Sequence, residues 1–154
     1  MSTIERAIAI AAQAHAGQTD KAGAPYIFHP LRVMLSVQQP SDQIAAVLHD
    51  LIEDTDWTFD RLREEGFPEE IVEAVSCLTK LPEEEDAPDD TPEAKEARYR
   101  RFILRARKNP IARRVKEADL RDNMDLSRIE HPGERDYQRI EKYRKAIEYL
   151  NSDE

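Results

Sequence analysis

The segment AAVLHDLIEDT, residues 45–55, sets a demand that any fold of this chain must meet. Val47, Leu48, Leu51 and Ile52 read as a helix packed into a core, yet His49, Asp50, Glu53 and Asp54 sit among them. Residues 49 and 53 are one helical turn apart, as are 50 and 54, so two adjacent rows of ionisable groups point the same way. Groups of this kind stay in a core only when paired, hydrogen-bonded or bound to a metal. A histidine beside a carboxylate offers a nitrogen and a hard oxygen to a divalent transition metal. Two more acids one turn on are placed to orient or deprotonate a water. The ordinary alternative is a satisfied buried histidine beside a solvated acidic face. Residues 15–32 and 115–124, taken up below, reverse that balance.

The rest of the chain reads as helix. Only four glycines occur and 36% of residues are charged, in long stretches without turn signals, which predicts an all-α protein. A length of 154 residues predicts one compact domain, 1–154, with a core of its own. No run approaches the roughly 18 apolar residues of a membrane span. The first residues, MSTIERAIAIAAQ, carry an acid and no cleavage pattern, so a cytoplasmic protein with no membrane partner is expected. Cys77 lies among Ile71, Ala74, Val75 and Leu78 and reads as a buried inert thiol.

Punctuation sets the helix limits. Ser2 and Glu5 form a capping-box pattern for a helix running to about His15, which Gly17 ends. His29 precedes Pro30 and so sits at a helix start, from which an imidazole can reach across to another helix. Pro40 breaks the chain, and Ser41 is expected to cap a helix that continues to Glu53 or Asp54. A short helix follows Trp57 and Thr58 and is closed by Gly66; Pro68 opens another through Leu78. From Lys80 to Pro92 the pattern stops: LPEEEDAPDDTP holds six acids and three prolines and predicts a mobile loop without core, a solvated linker or a lid. Thr91 and Pro92 start a long helix ending before Asn109-Pro110. Pro110 starts the next, in which Asp119 and Asn123 share a face, with Asp119 on the inward side. A last helix over about Glu134 to Leu150 reads as structural.

Net charge argues against nucleic acid as the partner, because the chain carries −9. Between Lys95 and Lys116, however, ten Lys/Arg face one acid, Glu96, a local +9 that leaves −18 for the remainder. Lys95, Arg98, Arg101, Arg105 and Lys108 form a stripe along the long helix. Two readings remain: Lys95, Arg98 and Arg101 face the phosphates of a small polyanion, or the stripe pairs with the acidic 83–90 loop.

Four blocks, AHAGQTDKAGAPYIFHPLRVM, AAVLHDLIEDT, LTKL and VKEADLRDNM, resemble in order the signature of the hydrolase domain of RelA/SpoT enzymes. They are equally similar to its stand-alone forms, the small alarmone hydrolases, metazoan ones among them. The resemblance covers about residues 5–126. It implies the all-helical fold of the HD superfamily and Mn²⁺-dependent removal of pyrophosphate from the 3′ position of (p)ppGpp. It further implies metal ligation by His29, His49, Asp50 and Asp119, and a water-activating pair, Glu53 and Asp54. Lys21 matches a lysine near the nucleotide, and Asn123 an asparagine at the ribose. The chain departs from the family where a basic residue usually packs on the guanine (here Asp20), and at Asp125 and Leu126, where Arg and Thr are common. Two other classes stay open: the same chemistry on another nucleotide or phosphate ester, and a non-catalytic nucleotide-binding or metal-stabilised module. Against the latter stand Glu53 and Asp54, which a degenerate member would be expected to lose.

Overall fold

A computed structural model describes residues 2–88 and 90–152. Its described residues form nine α-helices: α1 (Ile4–Ala14), α2 (Phe28–Ser36), α3 (Pro40–Leu48), α4 (Leu51–Asp54), α5 (Phe59–Glu64), α6 (Glu69–Cys77), α7 (Pro92–Arg107), α8 (Pro110–Asn123) and α9 (Glu134–Asn151). A single 3₁₀ turn covers Pro82–Glu84, and an isolated bridge pairs Thr19 with Pro25. The all-α expectation holds. Among the described residues no helix is long and apolar enough to cross a membrane.

The fold wraps around α3. Ala45, Ala46, Val47 and Leu48 are fully buried, packed among residues of α1, α2, α6 and α8. Removing a Leu- or Val-sized side chain from water contributes about 1.5–3 kcal/mol, so this short run anchors the main core. A second, smaller core joins Phe102 and Ile103 of α7, Leu120 of α8 and Ala146 and Leu150 of α9. Helix α8 belongs to both: Ile111, Ala112 and Val115 pack into the first and Leu120 into the second. Asp119 therefore lies on the seam between the cores.

Several local expectations are corrected. Thr3, not Ser2, caps α1, its hydroxyl accepting from the Arg6 amide; Ser2 donates instead to the Glu65 carbonyl. Arg6 also clamps the Glu65 carboxylate at 2.9 and 3.0 Å, which ties α1 to the end of α5. Pro40 itself is the first residue of α3, and Ser41 caps nothing. More consequential, the helix does not run unbroken to Asp54. It ends at Leu48, Asp50 adopts φ −101° and ψ 2°, and α4 restarts at Leu51. The acidic stretch is also not core-free, because Glu84 is 1% exposed. Gly17 and Gly66 do terminate α1 and α5, at φ +86° and +93°, a region open to glycine and costly for other residues.

Candidate metal centre and cavity

Three segments converge on one point. His29 comes from the first turn of α2, His49 and Asp50 from the break between α3 and α4, and Asp119 from α8. The break explains how adjacent residues both reach the site, since neighbours on a continuous helix diverge by about 100°. His29 Nε2 lies 2.9 Å from Asp119 Oδ1 and 3.8 Å from Asp50 Oδ2. His49 Nε2 lies 3.0 Å from Asp50 Oδ2 and 3.4 Å from Asp119 Oδ1. His29, His49 and Asp50 each offer a ligand atom, all within 4.8 Å of one another.

The groups around these four fix how they point. His49 Nδ1 lies 2.6 Å from the Ala46 carbonyl, which can only accept, so Nδ1 carries a hydrogen and Nε2 is the nitrogen aimed at Asp50 and Asp119. His29 Nδ1 lies 2.6 Å from Asp122 Oδ2 and is oriented the same way. The Tyr26 hydroxyl donates to Asp50, Lys116 Nζ to Asp119 Oδ2 at 2.9 Å, and Asn123 Nδ2 to Asp119 Oδ1 at 3.1 Å.

This donor set fits a divalent cation. His49 Nε2 is buried and, although close to two carboxylates, makes no hydrogen bond. Charge points the same way. Burial opposes ionisation of Asp50, yet His49 draws its carboxyl down to about 2. Asp119 is likewise buried and likewise held well below the ordinary range, by Lys116 and then His49. Burial disfavours a charged His49, but Asp50 and Asp119 push its pKa well up. Two buried carboxylates thus draw positive charge between two imidazoles, and two nitrogens with two oxygens suit an ion such as Mn²⁺ or Zn²⁺.

The centre lies in the wall of a cavity of about 470 Å³. Glu53, Asp54, Lys21 and Asn123 line it, as do Lys80, Arg139, Lys142 and Tyr143. Burial in the cavity, and then the Asp50 charge, raises the carboxyls of Glu53 and Asp54. For Glu53 the Lys80 amide, 2.5 Å from Oε1, works against the rise. Lys95, Arg98 and Arg101 are not brought to this cavity. Arg98 pairs with Asp90, Arg101 lies 3.7 Å from Glu83, and Lys95 is exposed. The stripe meets the acidic loop, and the cavity's cations come from elsewhere. Helix α9, read from sequence as structural, supplies three of the lining groups. Lys142 and Tyr143 follow Arg139 by three and four residues and so share its face, a signal the apolar pattern of that helix masked.

Comparison with known proteins follows the same line. The HD domain family matches residues 7–142. The guanosine-3′,5′-bis(diphosphate) 3′-pyrophosphohydrolase of Aquifex aeolicus is 34% identical over 125 residues, 79% of this chain and 17% of that protein. The enzyme of the same name from Haemophilus influenzae is 37% identical over 121 residues, 75% of this chain and 17% of its own. A probable GTP pyrophosphokinase of Mycobacterium leprae is 35% identical over 136 residues, 86% and 17%. The chain thus spans about a sixth of the length of these relatives. A solved structure described as a metazoan ortholog of SpoT that hydrolyzes ppGpp superposes with a TM-score of 0.74 over 99% of this chain and 87% of that one, at 23% identity. That likeness establishes the fold.

Proposed function

The chain belongs to the HD domain family, and from that premise we propose that it is a Mn²⁺-dependent phosphohydrolase that removes pyrophosphate from the 3′ position of (p)ppGpp. The observation that carries this reading is the convergence of two imidazoles, each oriented through Nδ1, and two carboxylates on a cavity lined with lysines. The names of the Aquifex and Haemophilus relatives support the choice of substrate.

In this reading His29, His49, Asp50 and Asp119 hold the ion. When bound, it polarises a phosphoryl oxygen and makes a water more acidic. Glu53 and Asp54 orient the attacking water. The Lys80 amide occupies Glu53 Oε1, which leaves Oε2 to take the proton of that water. A carboxyl pushed up by burial is a better proton acceptor than an ordinary glutamate. Lys21, Lys80 and Lys142 offset the phosphate charge that a protein at −9 would otherwise repel, whereas Arg139, also in the cavity wall, is paired with Asp136. Lys21 and Asn123 are assigned to the nucleotide itself. Asn123 already donates to Asp119, so its contact with a ribose would also steady a metal ligand.

A second reading keeps the chemistry and changes the base. The Asp20 carboxylate accepts from the Ala22 and Ala24 amides, both at 2.9 Å, and so belongs to its own loop. It occupies the position where the family usually packs a basic residue on guanine. The deciding experiment offers ppGpp, pppGpp, GTP, ATP and other phosphate esters to the purified protein with Mn²⁺, and follows pyrophosphate and phosphate release. Pyrophosphate together with GDP from ppGpp supports the alarmone reading. Inertness toward ppGpp alongside turnover of another ester overturns it in favour of the second.

A further inference from the structure

We propose that Asp122 is a positioning residue for the metal centre: its carboxylate fixes the tautomer and the aim of His29. The inference rests on the metal-centre reading above and concerns a residue outside the ligand set.

The two imidazoles are supported differently. His49 Nδ1 faces a backbone carbonyl three residues back in its own chain, a partner that no side-chain change removes. His29 stands in the first turn of α2, and the carbonyl three residues before it, that of Tyr26, accepts from the His29 backbone amide at 3.0 Å while the ring turns to a side chain. Its Nδ1 partner comes from 93 residues away, Asp122 Oδ2 at 2.6 Å. A carboxylate cannot donate, so Nδ1 carries the hydrogen in this contact; Nε2 lies 2.9 Å from a second carboxylate, Asp119, and is free to act as a ligand only while Nδ1 keeps its proton. The contact serves the site with or without an ion. A protonated His29 donates from both nitrogens, to Asp122 and Asp119; once Nε2 gives up its proton to bind an ion, the shorter 2.6 Å contact with Asp122 holds the remaining one on Nδ1.

The carboxylate is itself held. Arg32 reaches it with Nε at 2.8 Å from Oδ1 and Nη2 at 3.1 Å from Oδ2. Arg128 adds Nη2 at 3.6 Å from Oδ2 and donates from the same nitrogen to the Asp122 carbonyl at 2.9 Å. Arg32 belongs to α2, one turn beyond His29, so the same acid grips both the histidine and the helix that carries it. An anionic partner on Nδ1 also makes Nε2 more basic than a carbonyl does, and outer carboxylates of this kind typically alter metal affinity by about 10–100-fold.

The test measures Mn²⁺ affinity calorimetrically in the wild type, Asp122→Asn, Asp122→Ala and Arg32→Gln. The imidazole ¹⁵N shifts of the metal-free proteins are recorded alongside. Asp122→Ala is expected to bind Mn²⁺ roughly 10–100-fold more weakly. It should also shift His29 toward the other tautomer while leaving His49 unchanged. Asp122→Asn, which keeps the shape and an acceptor oxygen, should fall between Asp122→Ala and the wild type. Arg32→Gln removes the clamp but leaves the carboxylate on His29, so it should lose melting temperature with a smaller loss of affinity. If Asp122→Ala does not fold, the Asn variant carries the test. Wild-type affinity and an unmoved His29 tautomer in both Asp122 variants would overturn the proposal and leave the metal centre standing. A wild type that binds no divalent ion would overturn the metal reading and this proposal together.

Discussion

Glu84→Gln is expected to destabilise the protein and slow its chemistry. Glu84 comes from the acid-rich stretch between α6 and α7, yet it is 1% exposed. Its carboxylate accepts from Arg105 Nε at 3.1 Å, Arg105 Nη2 at 2.7 Å and the Leu81 amide at 2.9 Å. Arg105 also donates to the carbonyls of Ser76 and Thr79, at 3.0 and 2.6 Å. The pair therefore straps residues 79–84 onto α7, and Lys80, whose amide holds Glu53, lies within that strap. Removing one member of a buried ion pair costs about 3–5 kcal/mol. Arg105 keeps 24% side-chain exposure, which lets water compensate in part and lowers the expectation to about 2–3 kcal/mol. In a domain of this size that corresponds to a loss of roughly 4–12 °C in Tm. Glutamine preserves the shape, so a cavity cannot account for the loss. Burial opposes ionisation of Glu84, but the Arg105 bonds hold its carboxyl below the ordinary value. A depressed folded-state pKa contributes stability above the unfolded value and loses it as pH falls through the folded one. The gap between wild type and variant should thus be full at neutral pH and close in acid below the usual glutamate range. Thermal unfolding followed by far-UV circular dichroism reads both effects. Steady-state kinetics should show kcat falling more than KM, because Glu53 loses its alignment. Equal melting temperatures at neutral pH, within about 1 °C, would refute the reasoning.

Four further variants test the site and its surroundings. Asp50→Ala should nearly abolish Mn²⁺ binding, measured by equilibrium dialysis, and an intact metal content would remove Asp50 from the ligand set. Glu53→Gln should keep its metal and lose about 10²–10⁴ in kcat; a variant that loses the ion instead would make Glu53 a ligand. Lys142→Glu should raise KM sharply, and added salt should weaken substrate binding to the wild type. Arg101→Glu, outside the cavity on an exposed pair, should leave KM nearly unchanged; the reverse ranking would return the α7 stripe to the substrate.

Much of this arrangement is legible in the residues, for identifiable reasons. Helix limits follow from proline and glycine, whose backbone restrictions act locally: Pro92 and Pro110 each occupy the first turn of a helix, and Gly17 and Gly66 each end one. That His29, His49, Asp50 and Asp119 converge is expected from the family resemblance, and the structure brings the four side chains together. What stays hidden is anything decided by a distant partner. Nothing near Glu84 marks it apart from Glu83 and Glu85, and only Arg105, 21 residues on, selects it for burial. Asp42 is buried against Arg114, 72 residues away, where the local pattern shows only an acid in a first helical turn. Asp122 is found through His29 and not through its own neighbours. The break after Leu48 is hidden for a different reason: each residue around it is compatible with a helix, and the packing of α3 and α4 overrides that preference.

The charge distribution shows why the site cannot be read from net charge along the chain. The segment from Lys95 to Lys116 carries +9, yet its cations are largely committed. Arg98, Arg101 and Arg105 face Asp90, Glu83 and Glu84, Arg114 faces Asp42, and Lys116 faces Asp119. Most of these pairs hold elements in place, and an arginine so engaged has little left for a ligand. Lys80 and Lys142 differ in having neighbours of like charge. Burial, and then Lys80, lower the pKa of Lys142, against an opposing pull from Asp86. The attraction available to a substrate is set by which cations remain uncompensated inside the cavity, and Lys21 before α2, Lys80 beyond α6 and Lys142 on α9 supply them. In the proposed reading a polyanion drawn to them would lie against the wall that Glu53, held by the Lys80 amide, shares with His29, Asp50 and Asp119.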